Sequence, residues 1–148
     1  MNEFDFGRRR AVEFRHRLFW GVFRARHPAE VARRVRSGPW FWQRLIPELG
    51  MVVSMYVAPE RNLVGVFYGQ NVKVGAIDAK WRPYQLEIEA ALGGLRDDQR
   101  WVPGSLGSVW RVNVFAEDNW PAMSDWMTTE ATRFERAALD VVARSPID

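Results

Sequence analysis

A chain of 148 residues, 47% apolar and 26% charged, is long enough to bury most of its unfolded surface in one domain and too apolar to stay disordered. No apolar run approaches the roughly 20 residues of a membrane-spanning helix, and residues 1–5 lack the basic and apolar regions of a secretory signal; a cytoplasmic protein with no membrane partner is expected. The absence of cysteine excludes disulfides, thiolate nucleophiles and cysteine metal sites, and the net charge of +3 is unevenly spread.

Residues 1–50 hold eleven arginines against five acids, whereas residues 51–148 hold ten basic residues against thirteen acids. Residues 1–38 therefore read as a basic helical arm on a mildly acidic body. The first helix is predicted over residues 6–26. Ala11, Phe14, Leu18, Val22 and Ala25 share one face, widened by Val12, Phe19 and Phe23. Arg10, Arg17 and Arg24 repeat at heptad spacing in a stripe beside that face. Such a stripe suits phosphate backbones or an acidic partner; alternatively its arginines meet the body's own carboxylates. His27, before Pro28, ends the helix, and Pro28 opens a second one to about Arg36, stopped by Gly38 and Pro39.

Pro39-Trp40-Phe41-Trp42 is the densest aromatic cluster, readable as a stacking platform or as a core plug. Trp40, Trp42 and Trp81 together suggest an aromatic pocket. Residues 51–58 and 63–69 are rich in β-branched and aromatic side chains and flank the turn Pro59-Glu60-Arg61-Asn62, which predicts a β-hairpin. Gly65 inside its second strand marks a bulge or a close backbone approach. Residues 71–81 read as a third strand or as a helix start capped by Asp78. From Pro83 a short helix places Tyr84, Ile88, Ala91 and Leu92 on one face before Gly93-Gly94 ends it.

Residues 100–102 and 108–116 predict a second hairpin, with Trp110, Val112 and Val114 on one side. Asp118 or Asn119 then caps a closing helix over residues 119–144. Met123, Met127, Ala131, Phe134, Ala138 and Val142 form its core stripe. Residues 50–116 thus hold two hairpins around a central helix.

Few constellations carry chemistry. His16 and His27 would stand about three turns apart on one helix, too far to share a metal. The serines lack a nucleophile elbow, and the glycine pairs match no phosphate-binding fingerprint. Pro59-Glu60 followed by Asp78-Ala79-Lys80 fits the loose spacing of magnesium nucleases. There, two carboxylates hold the metal and a lysine stands near the attacking water. That pattern makes Glu60, Asp78 and Lys80 candidate catalytic residues.

Leu18-Phe19-Trp20 with Phe23, then Ile88-Glu89, Leu92-Gly93, Leu95, Trp101 and Pro103, then Asp118, Trp120, Trp126 and Phe134, form a pattern covering most of the chain from Leu18 to Val142. In these positions the chain resembles the bacterial domain-of-unknown-function family numbered 4268. Residues 39–49 and Pro83 depart from the family pattern. The resemblance implies an α+β domain often joined to nuclease-like or defence-associated regions. It brings no catalytic residues, and it places Asp78 in a helical segment.

The expected structure is one α+β domain, with a mainly antiparallel sheet packed by N-terminal, central and C-terminal helices. The expected function is a non-enzymatic binding module without a cofactor. It would meet nucleic acid through Arg10, Arg17 and Arg24, or a protein partner, including a second copy of the chain. The magnesium-dependent nuclease is the alternative.

Overall fold

The computed structural model describes residues 11–69, 82–93 and 107–144. Its helices are α1 (His16–Arg26), α2 (Ala29–Arg33), α3 (Gln85–Ala91) and α4 (Trp120–Arg144). Its strands are β1 (Arg34–Ser37), β2 (Phe41–Ile46), β3 (Met51–Ala58), β4 (Leu63–Tyr68) and β5 (Gly107–Arg111). The strands form one antiparallel sheet in the order β1-β2-β3-β4-β5. This is an α+β fold, as expected.

Alternation along the strands explains how the sheet is packed. Trp42 and Ile46 on β2, Met51, Val53, Met55 and Val57 on β3, and Val64, Val66 and Tyr68 on β4 join the helices in the main core. The intervening residues Tyr56, Ala58, Leu63, Phe67 and Val109 form a second buried cluster, with Phe41 against it. β3 and β4 are buried on both faces, which accounts for their near-continuous apolar sequences.

The predicted hairpin of residues 51–69 is present. Pro59–Arg61 form a 3-10 turn, and Asn62 takes φ 57°, a left-handed geometry that asparagine tolerates well. Asn62 also organises the approach to α4: its carbonyl accepts from the Val112 N–H at 3.2 Å and its side-chain oxygen from the Val114 N–H at 2.9 Å.

The helix from Pro83 is present as a 3-10 turn, Arg82–Tyr84, leading into α3. Ile88 and Leu92 are buried and Tyr84 packs against the core, while Ala91 is exposed. Gly93 follows at φ 81°. In α4, Met123, Met127, Ala131, Phe134 and Ala138 are all buried, and Val142 is partly so. Tyr68 fastens this helix to the sheet: its ring lies 4.9 Å from that of Phe134, and its hydroxyl donates to the Phe134 carbonyl. Burial pushes the Tyr68 phenol up and keeps it a neutral donor.

Several expectations need correction. The helix predicted over residues 6–26 is interrupted, because Phe14 and Arg15 leave helical geometry before α1 starts at His16. The break turns Phe14 into the core, where its ring meets those of Phe19, Phe115 and Trp120 within 6.0 Å. The buried face of α1 is accordingly Phe19, Trp20 and Phe23, and Leu18 is 47% exposed. Three aromatic rings bury more apolar area than the predicted Leu18–Val22–Ala25 stripe.

The second helix stops at Arg33 rather than Arg36, since Arg34 is already extended at ψ 127°. Residues 34–37 and 41–46 are strands, so a further hairpin precedes the predicted ones. β5 pairs with β4 and ends at Arg111, short of residue 116. The strand of residues 100–102 and the segment of residues 71–81 lie outside the described residues.

Candidate functional site

The arginines of the first fifty residues divide into two groups. Four meet carboxylates, three of them on the body and one, Glu30, within the arm itself. Arg15 contacts Glu117 at 3.2 Å, Arg26 grips Asp125 through Nε at 3.0 Å and Nη2 at 2.7 Å, Arg33 pairs with Glu135, and Arg44 pairs with Glu30. The other four described arginines, Arg17, Arg24, Arg34 and Arg36, have no carboxylate partner among the described residues.

Arg17 and Arg24 line a groove of about 370 Å³ between α1 and the turn that joins β1 to β2. His16 and Trp20 complete its helix side; Ser37, Gly38, Pro39 and Trp42 form the other wall. The offsets from Arg17 to Trp20 and from Trp20 to Arg24 are three and four residues, which puts all three side chains on one face of α1. No carboxylate is among the described residues that line the groove.

The groove is rigidly built. Trp20 donates its indole N–H to the Pro39 carbonyl at 2.8 Å and stacks on Trp42 at 6.0 Å and 26°. The Gly38 N–H closes the turn on the Phe41 carbonyl at 3.0 Å. Trp42 is only 1% exposed, the Arg34 guanidinium lies 5.5 Å from its ring, and its indole N–H has no acceptor among the described residues. A buried donor left without a partner costs about 1–3 kcal/mol, so each such group calls for an explanation.

Of the residues expected to bind an anion, Arg17 and Arg24 come together here and Arg10 lies outside the described residues. Of the three tryptophans of the expected aromatic pocket, two are described. Trp42 lines the groove, Trp40 stands at its rim with its ring 5.5 Å from that of His16, and Trp81 lies outside the described residues. From the sequence His16 was weighed only as a metal ligand and Trp20 only as part of the family pattern, and Arg34 was not singled out. The spacing of Trp20 between Arg17 and Arg24 was the signal that could have found it.

A second concave region, of about 560 Å³, lies beside α4 and is lined by His27, Glu30, Arg44, Thr128, Thr132 and Arg136 among others. Its floor is an ion-pair network. Glu30 and Arg44 are 6% and 2% exposed, Arg44 Nη1 donates to Thr132 Oγ1 at 3.1 Å, and Glu135 lies 3.6 Å from Arg44 while also holding Arg33. The His27–Asp125–Thr128 cluster cannot act as a nucleophile–base–acid relay. His27 Nε2 is the atom near both Asp125 Oδ1, at 2.8 Å, and Thr128 Oγ1, at 3.4 Å, whereas a relay uses opposite ring nitrogens. Its role is to tie α1 to α4.

That tie predicts a pH dependence. The hydrogen bonds from Arg26 hold the Asp125 carboxyl below the usual range, against some desolvation, with a further contribution from His27. A depressed folded value gives stability that is present above the unfolded value of about 3.9 and lost as pH falls through the folded one. Urea midpoints of wild type and Asp125→Asn are therefore expected to differ at neutral pH and to converge in acid below about pH 4.

Glu60 sits exposed in the 3-10 turn after β3, and Asp78 and Lys80 lie outside the described residues. Among the described residues no group of three His, Asp or Glu is placed to hold a metal. No helix described is long and apolar enough to cross a membrane. No family model, curated protein or solved structure matches the chain.

Proposed function

We propose that this chain is a non-enzymatic binding module that takes the phosphate backbone of nucleic acid in the groove between α1 and the β1–β2 turn. The observation that supports it most is the pairing pattern. Arg17 and Arg24 stand on the groove wall with no carboxylate partner among the described residues, while Arg15, Arg26 and Arg33 are already neutralised by the body and Arg44 by Glu30. Phosphate oxygens would supply acceptors for both guanidinium groups, whose planar forks match phosphate geometry. A solvated arginine face would need no concave wall opposite it. The reading accords with what the resemblance to the domain-of-unknown-function family 4268 implies, an association with nuclease-like or defence machinery.

The test is salt-dependent binding of labelled DNA and RNA oligonucleotides by anisotropy. Affinity should fall steeply between about 50 and 200 mM salt, and Arg17→Ala and Arg24→Ala should each lower the log–log slope by about 0.7–0.9. Arg15→Ala, whose guanidinium already meets Glu117, should leave the slope unchanged. Absent or salt-insensitive binding would leave a protein partner, or a second copy of the chain, as the occupant.

A further inference from the structure

Trp40 is held in a way that the phosphate contacts alone do not need. It precedes β2 on the turn lining the groove, and the residue is 37% exposed, the one aromatic among the large hydrophobic residues left exposed in the described chain. An exposed indole by itself is ordinary surface. This one is fixed on three sides. The Trp40 carbonyl accepts from the Val57 N–H at 2.8 Å, the Pro39 carbonyl before it accepts from Trp20 at 2.8 Å, and the ring is backed by Phe14 at 6.2 Å and His16 at 5.5 Å. His16 is itself a groove residue, so the ring stands at the rim, next to the wall that carries Arg17 and Arg24.

We infer that the nucleic acid taken in this groove is single-stranded, with one unstacked base laid on the Trp40 indole. The inference rests on the nucleic-acid reading of the groove. Arg17 and Arg24 stand about 10 Å apart along the α1 axis and follow a backbone rather than a point charge. A duplex would offer the arginines its phosphates but keep its base faces stacked inside. A single strand exposes base faces, and aromatic stacking on them is tolerant of sequence. Because the turn and the ring are ordered by contacts within the protein, little side-chain freedom is left to lose on stacking.

The decisive experiment compares three probes of equal length on the full chain: oligothymidylate, an abasic deoxyribose-phosphate strand, and a duplex. Wild type should bind oligothymidylate about tenfold or more tightly than the other two, with quenching of tryptophan fluorescence. Trp40→Ala should erase that preference while leaving affinity for the abasic strand and the salt slope intact. Trp40→Phe, which keeps an aromatic face, should retain part of it. Equal affinity for duplex and single strand, or an undiminished preference in Trp40→Ala, overturns the inference and leaves the phosphate groove standing. Binding that survives Arg17→Ala with Arg24→Ala, or no binding to any probe, removes the groove reading and this inference with it.

Discussion

Arg44→Met is expected to destabilise the protein by about 3–5 kcal/mol, the largest loss of any single substitution considered. Arg44 lies mid-strand on β2 with its side chain on the helix side of the sheet, in register with Val53. Its Nε donates to Glu30 at 3.1 Å, its Nη2 makes a second bond to the same carboxylate, and Nη2 also reaches the Thr128 carbonyl at 3.4 Å. The substitution fills the volume but leaves the buried Glu30 carboxylate unpaired, and that uncompensated charge supplies most of the cost. Replacing both partners, Arg44→Met with Glu30→Leu, should recover most of the loss, because a buried pair gains little over apolar groups of similar size. Glu135 keeps Arg33 in the double variant. Urea denaturation of the two singles and the double closes the cycle. A single-variant loss under about 1 kcal/mol, or a double as unstable as the sum, would refute the charge argument.

The same arginine shows why β2 was not legible. The run Phe41-Trp42-Gln43-Arg44-Leu45-Ile46 has the aromatic and β-branched content of a strand, but a charge at a core position breaks the alternation that identifies one. Glu30, helped by Glu135 and by the Thr128 and Thr132 oxygens, makes that charge tolerable, and no local pattern reports them. Where one face alone decides, as in α4 from Met123 to Ala138 or α3 around Ile88, helical spacing was sufficient. In α1 it was not, since Phe14, Phe19, Trp20 and Phe23 compete for one core and the chain breaks at Phe14 to seat them all. The groove was half legible. The heptad spacing of Arg17 and Arg24 was visible, but which arginines the body neutralises depends on residues about a hundred positions away, such as Glu117 and Asp125.

Gly65→Ala is expected to cost about 2–3 kcal/mol despite adding one methyl group to a strand. Glycine in a strand ordinarily loses about 0.5–1 kcal/mol against alanine, so the plain expectation has the opposite sign. The sign reverses because Gly65 faces Tyr56 across the β3–β4 ladder, and a Cβ there would come within 2.3 Å of the Tyr56 ring and hydroxyl oxygen. The Tyr56 ring cannot swing clear cheaply: it is buried and lies edge-on to Phe67 at 5.4 Å. Gly65 thus marks a close approach rather than a bulge, since the register runs unbroken from Val53↔Tyr68 to Ala58↔Leu63. Tyr56→Val is expected to lower stability by itself through lost packing, but in that background Gly65→Ala should become neutral or stabilising. A double-mutant cycle would then show a coupling of about 2–3 kcal/mol. Tyr56→Phe should not rescue, because the ring carbon that carries the hydroxyl is one of the clashing atoms. The same loss from Gly65→Ala in the Tyr56→Val background would mean that the glycine is required by its backbone and not by its neighbour.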